Sequence, residues 1–520
     1  MLKVHQNQVA EWRAPQGQVT VTAPDGTNYS LRTFQKGDGA WYVRYASAQT
    51  GTHTYRAGGE SGQIEVTQYT GENPLYLHGP VRQANKKYLE HQDGTPFFWL
   101  ADTWWMGFTT RLPYPDSFAE LTNDRVEKGF SVVQIIAGLY PDMDPFDPRG
   151  MNEAGYPWNK DFTEVNPAYF DAADKKIQHL IENGIMPCIV GCWGYFMDFA
   201  GYDAIRRHWD YLIDRWSAYP VVWCLAGEAL MAFYNNMDIR EKRITYEEYA
   251  TKLRAEWTKM TAHVKETDPF RRLITIHPTQ NGHEQVDDDS LLNLDMLQTG
   301  HDSFLSLLPT IKQVKAAVDR GVMPVINSEV CYEGICGSSF EDVQRYLFLS
   351  CVLTGCCGHT YGATGIWQFN TKEKPYGPSP HGASWGEISW EDAYKLSGSR
   401  QVGHLKRFLT RFDWWRMERH PEWVSNPCDY ETLKGMFCAG IPGELRIAYR
   451  SIFGGTIFGR QTFLELDGTY HAYYYNMIQD KITDLGMASP DENGKWNFPG
   501  AGILQDWVMV LSKNPIDFEK

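Results

Sequence analysis

The sequence predicts an α/β protein: a central (β/α)8 TIM barrel flanked by two small all-β sandwich domains. Three observations predict it. Short alternating runs occupy both ends of the chain. Eight apolar segments alternate with helical periods between those ends. Glycine closes several of the helices just before the next apolar segment. The 520 residues are enough for two or three domains, and the pattern divides them into 1–78, 79–408 and 409–520.

In the first part, Gln18–Ala23, Ala40–Tyr45, Gly51–Arg56 and Gly62–Thr67 read as strands, separated by turns at Pro24-Asp-Gly, Lys36-Gly-Asp-Gly and Ala57-Gly-Gly. Strands this short at roughly ten-residue spacing predict a sandwich.

In the middle part the expected strands are Pro96–Ala101, Ser131–Ile136, Ile185–Val190, Val221–Leu225, Leu273–Ile276, Asn293–Leu297, Val322–Ile326 and Gly358–Gly362. Apolar residues throughout are what a parallel sheet covered on both faces requires. Between them, Ile177, Leu180 and Ile181 share one helical face, as do Trp209, Leu212, Ile213 and Trp216. Leu253, Trp257, Met260 and Val264 form a third face, and Ile311, Val314 and Val318 a fourth. Gly129, Gly184 and Gly321 stand where a left-handed residue would turn a helix back toward the sheet. A doubly wound open sheet is the alternative, but it usually has fewer strands, and no G-x-G-x-x-G follows the first one here.

The last part returns to β: Gly443–Arg450, Thr462–Leu466, Tyr470–Tyr475 and Asp506–Leu511, with turns at Gly454-Gly, Asp467-Gly and Pro490-Asp-Glu-Asn-Gly. It predicts the second sandwich.

The net charge of −15 argues against nucleic acid or an anionic membrane as partner. No apolar run is long enough to span a bilayer. The first residues carry no apolar signal core, so the chain as written is expected in the cytoplasm, or secreted or periplasmic if a signal was removed. An oligomer is compatible with all of this. Most of the ten cysteines sit in apolar runs and read as buried thiols; their spacing suits neither a zinc ribbon nor any other metal site.

In a barrel of this kind chemistry sits at the C-terminal ends of the strands. The fourth expected strand ends in Leu225-Ala-Gly-Glu228 and the seventh in Ile326-Asn-Ser-Glu329. One carboxylate at such a place is more often an ion-pair partner than a catalyst. Two at matched positions on facing strands form the pair that glycosidic cleavage needs, one protonating the leaving oxygen and the other attacking carbon or activating water. The remaining strand ends supply Asp102, Trp104 and Trp105, then Trp193 and Tyr195, His277, Gln298, His301, Tyr361 and Trp367. Rings for sugar C–H faces and polar tips for hydroxyls suit a hydroxyl-rich ligand, although Trp104 and Trp367 could equally plug the barrel. No cofactor is called for.

Residues 75–405 resemble the apiosidase-like glycoside hydrolases, (β/α)8 enzymes of the large retaining-glycosidase clan. The resemblance rests on Pro96-Phe-Phe-Trp-Leu-Ala-Asp-Thr-Trp-Trp, Gly129-Phe-Ser-Val-Val-Gln, Leu273-Ile-Thr-Ile-His-Pro and Asp295-Met-Leu-Gln-Thr-Gly-His. Pro324-Val-Ile-Asn-Ser-Glu-Val-Cys-Tyr-Glu and Gly358-His-Thr-Tyr-Gly with Ile366-Trp complete it. It implies Glu228 as acid/base and Glu329 as nucleophile, with Asp102, His277, Gln298, His301 and Tyr361 holding the sugar. The first part is similar to the Ig-like domain found before such barrels, and the last to a collagen-binding-like β-sandwich. One departure stands out: where much of the clan has Asn before the acid, this chain has Gly227. The expected activity is a retaining, exo-acting glycoside hydrolase that removes a terminal sugar, such as the furanoses apiose or arabinose, from a plant or microbial glycan or glycoside. The alternatives are a non-catalytic carbohydrate-binding protein on a decayed barrel and a metal-dependent barrel hydrolase.

Overall fold

The computed structural model describes residues 1–234, 236–382, 384–454 and 461–517. At its centre are eight strands: β1 (Trp99–Thr103), β2 (Val132–Ile136), β3 (Met186–Val190), β4 (Val222–Cys224), β5 (Ile274–Thr275), β6 (Asp295–Gln298), β7 (Val325–Glu329) and β8 (Gly358–Tyr361). Every pairing among them is parallel. Their residues are buried throughout, which is why the sequence shows no inside–outside alternation there.

The ring is laddered in two pieces, β5-β4-β3-β2-β1-β8 and β6-β7. Side chains and single bonds stitch the gap between β5 and β6. Asn293 N–H donates to the Ile274 carbonyl at 2.8 Å, and its side-chain oxygen accepts from Ile274 N–H at 3.0 Å. Thr275 Oγ1 donates to the Leu294 carbonyl at 2.7 Å. Across the other gap, Cys357 N–H donates to the Val325 carbonyl at 2.9 Å. The barrel is closed, but not by a continuous ladder.

Helices α1 (Asp116–Glu127), α2 (Pro167–Glu182), α3 (Tyr202–Trp216), α4 (Tyr246–Thr267), α5 (Leu307–Arg320), α6 (Glu341–Thr354) and α7 (Ser397–Leu409) cover the ring. Local chemistry sets their ends. Thr245 and Glu248 cap α4 reciprocally, and Gly321 ends α5 in the left-handed region at φ 60°. The expected apolar faces turn inward; Trp209, Leu212, Ile213 and Trp216 of α3 are all fully buried. One unit departs from the β-α pattern: between β5 and β6 the chain makes only 3-10 turns at Gly282–Gln285 and Asp289–Leu291. That stretch is short, and Gly282 and the acidic run at 287–289 give it no apolar period.

The N-terminal residues form a five-stranded and a three-stranded sheet. The four expected strands are present, joined by Leu2–His5, Ala10–Arg13, Asn28–Arg32 and Phe34–Gln35. This sandwich is fastened to the barrel by buried charge. Asp174 of α2 accepts from Arg44 of the sandwich at 3.2 Å, from Arg215 of α3 at 3.0 Å and from the Trp216 indole at 2.7 Å.

At the C-terminal end, six antiparallel strands run in the order Glu418–Arg419, Met436–Ile441, Leu445–Arg450, Trp507–Ser512, Tyr470–Asn476 and Lys481–Ala488. Pleating sends Phe437, Ile447, Tyr449, Val508 and Val510 into the barrel's own core. Met436, Cys438, Ala448, Met509 and Leu511 go to the opposite face, beneath Trp423, Phe463 and Phe498. The barrel side is pinned by the Phe408–Tyr475 stack, with centroids 4.0 Å apart, and by Arg345 on both oxygens of Asp506 at 2.8 Å. Of the turn expected at Gly454-Gly, the second glycine lies outside the described residues. Among the described residues, no helix is long and apolar enough to cross a membrane.

Candidate active site

A cleft of about 270 Å³ opens at the C-terminal ends of the strands, and both Glu228 and Glu329 line it. Glu329 is the last residue of β7 and is 4% exposed. Glu228 lies four residues past β4, remains partly exposed at the mouth, and has a left-handed φ of 41°. For a side chain with a Cβ such a backbone is strained, as residues held for function often are.

One amide group spans the two acids. Gln298 Nε2, at the end of β6, donates to Glu228 Oε1 at 3.1 Å and to Glu329 Oε1 at 3.1 Å. Those two oxygens are therefore no farther apart than twice 3.1 Å.

The surroundings push the acids in opposite directions. Burial opposes ionisation of Glu329, but His277 and His301 outweigh it and hold the carboxyl well below the usual range. His301 Nε2 lies 2.9 Å from Glu329 Oε1, and His277 Nε2 lies 3.1 Å from Oε2. The His277 contact is a close charge approach, not an aligned hydrogen bond. Its ring is fixed from behind: Ser328 Oγ donates to the Leu297 carbonyl at 2.9 Å and accepts from His277 Nδ1 at 2.9 Å. His301 gains a proton more readily than usual because, although burial opposes it, the adjacent Glu329 carboxylate outweighs that burial. Glu228 is raised, first by desolvation and then by the charge of Glu329, with the histidines and Gln298 only partly offsetting this. One acid is disposed to stay ionised and the other to keep its proton.

Trp193 also acts on Glu228, donating from its indole nitrogen to Oε2 at 3.2 Å. Its ring fills the space in front of Gly227, where an added Cβ would come within 2.1 Å of two ring carbons. The glycine at this position makes room for the tryptophan.

Of the expected ligand-binding residues, Trp105, Trp193, Gln298, His301 and Trp367 line the cleft. Among the described residues, Trp367 Nε1 and Gln298 Oε1 are buried without a hydrogen-bond partner, which fits groups that meet a ligand. His277 stands behind Glu329, its ring packed against Trp105 and Trp193.

Four expectations are corrected. Asp102 is fully buried, paired with Arg125 Nε at 2.6 Å, and accepts from the Trp104 indole at 2.7 Å. Trp104 packs edge-on to Phe118 and Phe369. Tyr361, opposite Asp102 in the ladder, donates to Glu333, whose carboxyl burial pushes up to about 7. Tyr195 donates to the Tyr140 carbonyl at 3.1 Å among Phe196, Phe199 and Phe233. None of the four lines the cleft.

Other lining residues were not singled out from the sequence. Tyr332 accepts from the Trp105 indole at 3.1 Å and stacks on His301; it follows Glu329 by three residues. Pro141, Asp142, Met231, Tyr234, Ile335, His381 and Trp385 complete the wall.

In sequence, the apiosidase-like catalytic domain family matches residues 83–416, while no curated protein matches the chain. Among solved structures, a glycoside hydrolase covers 86% of this chain and 100% of its own at TM-score 0.69 and 20% identity. A family 5 glycoside hydrolase from Bacteroides vulgatus covers 86% and 96% at TM-score 0.70 and 20% identity. At these identities the structural likeness is one of fold.

Proposed function

Since the chain belongs to the apiosidase-like catalytic domain family and is a glycosidase, we propose that it removes a terminal sugar with retention of anomeric configuration. Glu329 is the nucleophile and Glu228 the acid/base in this reading. Glu329 attacks the anomeric carbon as Glu228 protonates the departing glycosidic oxygen. Glu228 then takes a proton from water, which displaces Glu329 from the glycosyl-enzyme.

The observation that carries this is the Gln298 amide on both acids. One amide that reaches both acids keeps their near oxygens within twice 3.1 Å, which supports the closer carboxyl spacing of retaining enzymes, roughly 5–5.5 Å, over the roughly 6.5–9.5 Å of inverting ones. The cleft, at about 270 Å³, is also small; clefts for drug-sized ligands run from about 300 to 1,000 Å³. That supports exo action on a single terminal ring, a furanose such as apiose or arabinose being the first candidate. Proton NMR of the first-formed sugar is expected to show the anomer of the substrate; initial release of the opposite anomer would refute retention.

The pH dependence follows from the two shifts. Glu329 must be ionised, so the rate falls only when pH drops through its lowered pKa. Glu228 must carry its proton, so the rate falls as pH rises through its raised pKa. A profile of kcat/KM should therefore be bell-shaped, with limbs on either side of about 4.3, the ordinary glutamate value. An alkaline limb at or below that value would contradict the assignment of Glu228.

A further inference from the structure

A third carboxylate reaches the cleft and has no part in breaking the bond. Asp142, in the loop after β2, is 3% exposed and holds a left-handed φ of 61°. It accepts from the Tyr234 hydroxyl at 3.1 Å and from the Ser379 hydroxyl. Ser379 in turn accepts from the Trp385 indole at 3.0 Å. These partners come from the loops after β4 and β8, so three loops meet on one carboxylate. Both groups that donate to it are neutral. Burial makes its charge hard to hold, and the hydroxyls and the nearby His381 ring relieve this only in part.

A staple between loops could be built more cheaply from an amide or a backbone carbonyl. What a carboxylate adds is acceptor capacity. Each oxygen can take more than the one hydrogen bond it receives here, which leaves two acceptor positions side by side. That arrangement matches two adjacent hydroxyls. The cleft's other walls, Trp105, Trp193 and Trp367, offer flat surfaces to the C–H face of the same ring.

We propose that Asp142 is a specificity-determining residue of the cleft, gripping an adjacent pair of hydroxyls on the terminal sugar. The substrate class is then glycosides whose terminal sugar carries a free vicinal diol. This rests on the glycosidase reading above and narrows it.

The test uses the full chain and the p-nitrophenyl glycoside turned over fastest among furanosides and pyranosides of both anomers, with its 2-deoxy and 3-deoxy analogues. Asp142→Ala should lower kcat/KM on the parent by roughly 100-fold. On the analogue lacking one of the gripped hydroxyls the penalty should shrink to about tenfold, because the wild type has already lost one of the two contacts. Asp142→Asn keeps the shape; it should lose roughly tenfold on the parent and show the same collapse if the alanine variant does not fold. Ser379→Ala removes a staple but leaves the carboxylate, and should cost less than about fivefold. An equal Asp142 penalty on parent and both analogues, or a Ser379→Ala loss as large as that of Asp142→Ala, overturns the proposal. Wild-type turnover that disappears in Glu329→Gln establishes the reaction separately, so a uniform penalty would sink the diol assignment alone.

Discussion

Glu329→Gln should lower kcat by roughly 10⁴-fold or more while leaving the fold intact. The amide has the shape of the carboxylate and can still accept from Gln298 Nε2, so the cleft keeps its form. What it lacks is the charge that His277 and His301 stabilise and the electron pair that attacks carbon. Glu228→Gln should behave differently. Its loss, roughly 10²–10⁴-fold on an ordinary glycoside, should shrink on an activated aryl glycoside whose leaving group departs without a proton. Circular dichroism and thermal midpoint check the fold, and the two leaving groups separate the roles. Residual activity of Glu329→Gln within tenfold of wild type would remove this residue from the mechanism.

Arg125→Ala should destabilise the protein by about 3–5 kcal/mol. The guanidinium of α1 is fully buried and pairs with Asp102 of β1 at 2.6 Å; without it a carboxylate remains in the barrel wall with the Trp104 indole and its own neighbour's N–H as donors. Replacing both partners by apolar residues, Asp102→Leu with Arg125→Met, should recover most of the loss, since the cost lies in the orphaned charge. Denaturant unfolding measures both. In the folded fraction of Asp102→Asn, KM should stay near wild type, because Asp102 does not line the cleft. A tenfold rise in KM would return Asp102 to the sugar.

That correction shows where sequence reasoning stops. The eight strands were legible because burial on both faces leaves uninterrupted apolar runs, and the two glutamates because a carboxylate straight after such a run has few places to go. Which way a strand-end residue points was not legible. Asp102 and Tyr361 are cross-strand partners on one face of the sheet, and pleating turns that face toward α1 and the N-terminal turn of α7, where Arg125 and the Gly398 N–H meet them and Glu333. A strand end fixes proximity to the mouth but not the parity of the pleat. The loops were harder still. His381 and Trp385 come from a stretch after β8, and Asp142 from one after β2, neither of which has a period to read.

The interruption of the ring between β5 and β6 bears on stereochemistry. Glu228, the proposed proton donor, follows a strand of the six-stranded piece, and Glu329, the proposed nucleophile, ends a strand of the two-stranded one. Their spacing is thus a joint between two plates, fixed by the contacts of Asn293, Thr275 and Gln298. Roughly one ångström separates the spacing of enzymes that keep the anomer from that of enzymes that flip it. In this molecule a lineage could cross that line by loosening a few stitches, with both acids unchanged.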